Sequence, residues 1–346
     1  MSRHAIVVGS TGQIGRAAVE SLLDDGWSVT AVHRGSTTAP SGWARRGVDE
    51  RLADRADLAG VLRETGGADV LLDTIAYDDA DARLLLGLAG DVGSLIVVSS
   101  ASVYADDAGR TLDEATGPDD FPRFAGPVPE TQATTAPGPA TYSTKKLLLE
   151  NTLLDDGRLP VTVLRPCAIH GPGSTSPREV WPLLRALDRR PRIPLSHGGR
   201  SRFHTTSAAN LGELVRLAAG RPASRILNAG DPEPPSVADI VRIVSATAGH
   251  EPELVPLDGP APASGVGRTP WSVPRPFLVA MTAAATELGY VPVASYAEAV
   301  ESTSAWLRGR LADRPWREAF PLLAQYYGDA MDDYAAEDEL LASRRN

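Results

Sequence analysis

The segment Ala5-Ile6-Val7-Val8-Gly9-Ser10-Thr11-Gly12-Gln13-Ile14-Gly15 constrains the fold more than any other. A short apolar run, read as a strand, ends in three glycines spaced three apart. The helical pattern of Ile14–Leu23 follows at once. Without Cβ atoms the backbone can turn tightly there and approach a pyrophosphate. The helix N-terminus adds unpaired N–H donors and the positive end of its dipole. Gly9, Thr11, Gly12, Gln13, Ile14 and Gly15 are therefore the candidates to hold phosphates. A tight turn with no ligand would use the same glycines, so the weight comes from their place between a strand and a helix.

Further apolar runs follow at Ser28–Val32, Val48–Leu52, Val70–Thr74, Leu95–Ser99 and Val161–Leu164. Helical patterns alternate with them at Leu58–Glu64, Ala80–Gly87 and Tyr142–Leu154. Continuous apolar strands separated by helices predict a parallel sheet covered on both faces, a doubly wound α/β (Rossmann) fold. Residues 105–141 break the rhythm with six prolines and many acids, and read as an irregular excursion. After Arg165 a Pro- and Arg-rich stretch runs to about Arg202. Helices are expected at Asn210–Ala219, Val237–Ala248, Pro276–Glu287 and Tyr296–Leu307, and from about Pro315 onward. A short strand is expected at Arg225–Asn228, and mostly loop over Pro252–Pro276. The predicted division is a dinucleotide-binding domain over 1–168, rejoined by 206–230. A smaller, discontinuous C-terminal substrate domain takes 169–205 and 231–346.

Composition excludes several classes. The formal net charge of −10 comes with no basic stripe, which argues against nucleic acid as a partner. Cys167 is the lone cysteine, which leaves no intrachain disulfide and fits a reducing compartment. The first apolar run is too short for a secretory leader, and no stretch approaches about 18 apolar residues. The expectation is a cytoplasmic protein with no membrane partner. The histidines show no metal-ligand spacing, so no metal is expected.

The second strand ends at Val32-His33-Arg34-Gly35, where an acid would accept a ribose hydroxyl. Arg34 stands there instead, and its planar fork suits a 2′-phosphate. This favours NADP, with NAD as the alternative; the plain reading of Arg34 is a solvated loop arginine. Asp54, after the third strand, has two readings, an acceptor for adenine or a helix-capping acid. Ala76, after the fourth strand, completes the cofactor-binding set.

The fifth strand carries hydroxyls at its C-terminal end, in Ser99-Ser100-Ala101-Ser102-Val103-Tyr104, where ligands of parallel sheets bind. Tyr142 and Lys146 open the next long helix at i and i+4, on one face. An ammonium beside a phenol stabilises the phenolate, so Lys146 is expected to lower the pKa of Tyr142. Tyr-x-x-x-Lys alone is common by chance on surface helices.

These residues carry a family resemblance. The chain resembles extended short-chain dehydrogenases/reductases, the NAD-dependent epimerase/dehydratase group. The resemblance rests on Gly9/Gly12/Gly15, Ser99–Tyr104, Tyr142/Lys146, Leu164-Arg165-Pro166 with His170-Gly171-Pro172-Gly173, and Arg202-Phe203-His204. Leu288-Gly289-Tyr290, Glu298-Ala299-Val300 and Trp306-Leu307 extend it. It implies Ser100 as the catalytic hydroxyl, Tyr142 as acid/base, Lys146 as its partner, and Pro166 in the nicotinamide pocket. It also suggests a homodimer through a helix bundle including Tyr142–Leu154, whose leucines exceed what one sheet contact needs. Three features depart from the family pattern: the 105–141 excursion, His170 where tyrosine is frequent, and His33-Arg34-Gly35 with Asp73–Tyr77. The last looks closest to a branch with chloroplast stem-loop-binding relatives, some without catalysis. Retention of Ser100, Tyr142 and Lys146 favours an enzyme.

The expected function is hydride transfer at a carbonyl or alcohol carbon of a small molecule. Ser102, His170 and Arg202 are candidate substrate contacts. The alternatives are a nucleotide-sugar epimerase or dehydratase, and a non-catalytic NADP-binding sensor or RNA-associated protein.

Overall fold

A computed structural model describes residues 3–344; the outermost ends of the two predicted domains, 1–2 and 345–346, lie outside it. Along the chain come β1 (His4–Val8), α1 (Gln13–Asp24), β2 (Ser28–His33), β3 (Asp49–Leu52), α2 (Leu58–Thr65), β4 (Val70–Asp73), α3 (Asp79–Leu86) and β5 (Leu95–Val98). After the excursion follow α4 (Tyr142–Asp156), β6 (Val161–Pro166), β7 (Ala168–His170), α5 (Val180–Leu187), β8 (Arg192–Leu195), β9 (Thr205–Ser207), α6 (Ala208–Gly220) and β10 (Arg225–Ala229). The remainder is α7 (Val237–Thr247), β11 (Glu253–Pro256), α8 (Thr282–Leu288), α9 (Tyr296–Leu311), α10 (Trp316–Ala319), α11 (Pro321–Tyr327) and α12 (Tyr334–Ser343). Among the described residues no helix is long and apolar enough to cross a membrane.

The chain divides into two compact units. The first takes residues 1–167, 208–230 and 279–293, the second 168–207, 231–278 and 294–346. The first unit holds a seven-stranded parallel sheet in the order β10-β6-β5-β4-β1-β2-β3, a doubly wound α/β fold. Strand order reverses between β1 and β4, so the crevice for a ligand opens at their C-terminal ends. β4 to β6 are fully buried, hence their predominance of Val, Leu and Ile. Helix α6 lies so close to α1 that a Cβ on Gly212 would sit 2.7 Å from the Ala17 carbonyl oxygen.

Three expectations change in the structure. The stretch to Arg202 contains α5 and two short strands, β7 and β8. Pro182 is tolerated in α5 because it falls in the first turn, where no N–H is needed. Within Pro252–Pro276, Glu253–Pro256 pairs in parallel with β8. The helix expected over Pro276–Glu287 begins only at Thr282, because Phe277 and Val279 are extended and bridge to Phe203 and Val128. Residues 279–293 thereby belong to the first unit rather than with the C-terminal helices.

The 105–141 excursion is irregular yet firmly held. Asn228 is its anchor: its amide nitrogen Nδ2 donates to Val128 O (2.9 Å), its backbone N–H to Glu130 Oε1 (2.9 Å), and its Oδ1 accepts from the Tyr104 hydroxyl (2.7 Å). Asp106, buried, accepts from the backbone of Ala108, Arg110 and Arg123 at 2.8–3.0 Å and from the Arg110 guanidinium. Burial pushes this carboxyl up, but the donors outweigh it and hold it at about 2. A depressed carboxyl contributes stability above its unfolded pKa, lost as pH falls through the folded value. Asp106→Asn is therefore expected to lower the unfolding free energy by about 2 kcal/mol at pH 7. Denaturant titrations should show that difference closing between about pH 4 and pH 2.

The leucines of α4 are largely consumed within the chain. Leu147, Leu149 and Leu153 are buried, and only Leu148 and Leu154 stay partly exposed. The surplus that suggested an assembly is therefore not on the surface.

Candidate active site

The glycine turn closes the C-terminal end of β1. Gly9 and Ser10 donate backbone N–H bonds to Val32 O (3.0 and 3.2 Å), which ties the turn to β2. Gly9 has φ +75°, and a Cβ there would meet Thr74 Oγ1 at 2.4 Å. A Cβ on Gly15 would meet Gly9 O at 2.3 Å. Gly12 is the N-cap of α1 and has no side chain to cap it, so the first-turn amides of the helix face outward for an anion. Thr11 is buried and Gln13 and Ile14 open the helix. Two exposed apolar side chains flank the crevice, Leu52 at the end of β3 (72% exposed) and Ile75 after β4 (49%). Such walls suit the flat faces of a nucleotide. A cradle that a Cβ would fill, open amides and apolar walls together fit a dinucleotide.

Arg34 is exposed, just past β2. The loop behind it is fixed by Arg16, whose guanidinium donates to Thr11 O (2.7 Å) and Thr38 O (2.8 Å). Asp54 takes the capping role of its two readings: it is the N-cap of a short turn, its backbone N–H donating to Asp57 Oδ2 (3.3 Å). Pro166 closes β6, opposite Ala229.

Asp73, at the end of β4, was not singled out as a site residue by sequence, though an Asp ending a buried strand before a turn is a signal. Its buried carboxylate accepts from Ile75 N (2.8 Å) and Ala76 N (2.7 Å) and forms a fork with Arg55 (2.9 and 3.2 Å). Arg55 also pairs with Asp81. This buried network shapes the turn that carries Ala76 and Tyr77.

Tyr142, Ser100 and Lys146 come together at the C-terminal ends of β4 and β5. Helix α4 starts at Tyr142 because Thr141 caps it, accepting from Thr144 N (3.3 Å) while Thr144 Oγ1 accepts from Thr141 N (2.8 Å). Ser100 accepts from Ser102 N (3.1 Å), and its hydroxyl lies beside that of Tyr142, where it favours the phenolate. Ser102 accepts from the Ser143 hydroxyl (2.7 Å), which leaves it a supporting place beside the site. Lys146 is buried, with Nζ donating to Ala76 O (2.6 Å) and Val98 O (2.9 Å). The carbonyl of Ala76 is thus already occupied. Burial pushes the Lys146 ammonium down to about 8, despite Asp73 and Glu150.

The expectation that Lys146 lowers the Tyr142 phenol is not met in this geometry. Burial raises Tyr142 above the usual phenol range, and the neighbouring Ser100 hydroxyl only partly offsets it. Lys146 Nζ lies 5.8 Å from the Tyr142 ring centroid and is committed to two carbonyls. Two neighbours escaped sequence reasoning. The Tyr77 ring lies 5.8 Å from that of Tyr142, with Lys145 over it at 5.3 Å. Beneath, Glu150 is buried between the Ser99 hydroxyl and the Arg165 guanidinium (Nε to Oε1 3.0 Å). An ionisable group on the inner face of an otherwise leucine-rich helix is the signal that could have found it.

His170 and Arg202 lie in the second unit. His170 is fully buried, its Nε2 2.7 Å from Asp231 Oδ2, and packs on Tyr296 (ring centroids 4.7 Å apart). Burial disfavours the imidazolium, but Asp231 outweighs it and raises the histidine. This is a structural pair in a core and not an open contact for substrate, a correction to the expectation. The Arg202 guanidinium donates to Pro234 O (2.7 and 3.1 Å) and is partly exposed. Among the described residues no His/Cys/Asp/Glu group has the geometry to hold a metal. A polar hollow of about 820 Å³ around His4, Thr30, Asp49 and Asp69 sits at the N-terminal ends of the strands, away from this crevice.

The sheet order and the crevice at its strand ends are those of a Rossmann-type doubly wound fold. Residues 5–84 match the NAD dependent epimerase/dehydratase family. No curated protein matches the chain. Among solved structures it is similar to dTDP-glucose 4,6-dehydratase from Bacillus anthracis in complex with NAD, at 15% identity and TM-score 0.66, over 93% of this chain and 100% of that one. It is also similar to MoeE5 in complex with UDP-glucuronic acid and NAD (20%, TM-score 0.65, 89% and 100%). A third is UDP-glucose 4-epimerase from Thermotoga maritima with UDP-glucose (18%, TM-score 0.64, 89% and 99%). At these identities the likeness is one of fold.

Proposed function

We propose that the chain is an NADP-dependent oxidoreductase acting at a carbonyl or alcohol carbon of a small molecule in the cytoplasm. The observation that carries this reading is the grouping of Tyr142 with Ser100 and buried Lys146, whose Nζ lies 5.8 Å from the Tyr142 ring, on the same crevice as the glycine turn. What the dinucleotide supplies when bound is a hydride donor or acceptor at a carbon. Ser100 hydrogen-bonds the substrate oxygen and orients it. Tyr142 gives that oxygen a proton or takes one from it. Lys146 places a positive charge at the floor of the crevice, and its two carbonyl partners are groups a ribose hydroxyl can compete for.

NADP is favoured by Arg34, an exposed cation where an acid would select NAD, on a loop braced by Arg16. Arg34→Ala is expected to weaken NADP binding by roughly 10-fold or more and leave NAD unchanged, for the loss of one charge-assisted phosphate contact. Calorimetric titration of both dinucleotides checks this; equal affinities insensitive to the substitution would remove the NADP preference.

A second reading, nucleotide-sugar epimerase or dehydratase, draws on the ligands of similar structures, UDP-glucuronic acid and UDP-glucose. Arg202 would then meet the substrate diphosphate, and the absence of UDP-, GDP- or dTDP-sugar binding would count against it. A non-catalytic NADP sensor or RNA-associated protein has no need of Ser100, Tyr142 and Lys146 together. A homodimer through α4 would have only Leu148 and Leu154 as its apolar contribution there, and light scattering tests it.

A further inference from the structure

Of the 34 lysines and arginines in this chain, two are lysines and the rest arginines. The two lysines stand side by side, Lys145 and Lys146, in the first turns of α4. Lys146 is the buried ammonium described above. Lys145 is half-buried, and its Nζ lies 5.3 Å from the centroid of the Tyr77 ring. That ring lies 5.8 Å from the Tyr142 ring and 5.9 Å from Lys146 Nζ. Tyr77 is 38% exposed and Tyr142 42%, so an accessible aromatic surface runs from Lys145 to the Tyr142 ring.

Carboxylates on the adjoining elements are committed elsewhere. Asp113, from the excursion, accepts from Ser143 N (2.7 Å). Asp78 caps α3, accepting from Ala80 N (3.1 Å) and Asp81 N (3.4 Å). Asp79 accepts from the Arg83 guanidinium (2.8 Å) and the Thr152 hydroxyl (2.7 Å). Asp81 pairs with Arg55 and accepts from Tyr77 N (2.7 Å). Glu150 is closed by Ser99 and Arg165. Among the described residues Lys145 has the Tyr77 ring and no carboxylate partner. Arginine supplies the cation for surface pairing throughout the rest of the chain. An ammonium is a compact point charge with three donors, where a guanidinium is a flat fork that stacks on rings. A lone ammonium beside an open ring can meet an anion while the ring covers the apolar part of the same molecule.

We propose that Lys145, over the Tyr77 ring, binds an oxyanion of the substrate, a carboxylate or a phosphate ester. The site thereby selects an anionic small molecule whose apolar part rests on Tyr77 and whose reacting carbon is brought toward Tyr142. That the anion belongs to the substrate rests on the oxidoreductase reading above; that the site binds an anion does not.

The test titrates the full chain, with and without NADPH, with fluorobenzoate, fluorophenyl phosphate and the neutral fluorobenzyl alcohol, followed by ¹⁹F NMR. At least one of the two anions is expected to bind saturably, and the pair tells carboxylate from phosphate recognition. Lys145→Met is expected to weaken that anion by roughly 10-fold or more, for the loss of one charge-assisted contact, with the alcohol unchanged. Lys145→Arg should restore most of the affinity, because it restores the charge. Lys145→Gln serves if the methionine variant does not fold. With ¹³C at lysine Cε the chain gives two side-chain signals, assigned with Lys145→Arg, and the Lys145 signal should move with the bound anion. Unchanged anion affinity in Lys145→Met, whose arginines would still hold an adventitious anion, would overturn the proposal. So would the absence of saturable binding by both anions. Failure of the oxidoreductase reading would show separately, as unimpaired turnover by Tyr142→Phe.

Discussion

Tyr142→Phe is expected to lower turnover by about 10²–10⁴-fold, the usual size of a positioned proton-transfer group. It removes one hydroxyl and leaves the ring, which still packs against Tyr77. Although its hydroxyl is crowded enough to be desolvated, the residue as a whole is 42% exposed, so stability should change by no more than about 0.5 kcal/mol. Dinucleotide affinity should hold, because the glycine turn, Leu52 and Ile75 are untouched. A loss of turnover with affinity and melting temperature intact separates a proton-transfer residue from a structural one. Ser100→Ala should fall in the same direction, since it removes the hydroxyl beside the phenol.

Lys146→Met should do the opposite to the two properties: abolish turnover and make the protein more stable. The ammonium is buried, and burial pulls it down from 10.5 to about 8. A lysine lowered in the folded state costs stability below the folded value, and the cost fades as pH rises to the unfolded value. Replacing it with an apolar side chain of similar length removes this penalty but leaves the carbonyls of Ala76 and Val98 without that donor. The balance is a gain of about 1–3 kcal/mol at pH 7. Chemical denaturation at pH 7, 8 and 10 should show the gain shrinking as pH rises. A fold that keeps a costly charge in its crevice keeps it for chemistry. A destabilised Lys146→Met protein would mean the lysine is a structural donor.

The layered part of the fold was legible because its signals are local and repeated. Each buried parallel strand is a mostly apolar run with few polar residues, and each helix between them has an apolar face. The glycine turn was legible because Gly9 and Gly15 sit where a Cβ would strike Thr74 or the turn's own backbone. The second unit was less legible. β7, β8 and β9 are three or four residues long, too short for periodicity, and Pro182 masked α5. In the site, Ser100, Tyr142 and Lys146 could be ranked by position along the sheet. Asp73 with Arg55, Glu150 with Arg165, and Asp113 on Ser143 could not, since each pairs residues distant in sequence. His170 misled for the same reason: its partner Asp231 is 61 residues away.

The crevice at the C-terminal ends of β1 and β4 is expected to hold a nicotinamide dinucleotide. Fluorescence titration of NADPH against the chain and against Gly15→Val tests it most directly, with circular dichroism confirming that both are folded. Saturable binding of one NADPH per chain is expected, and it should be lost in Gly15→Val because the new side chain would strike Gly9 O. Absence of saturable binding to the unaltered chain, or equal binding by the folded variant, would contradict it.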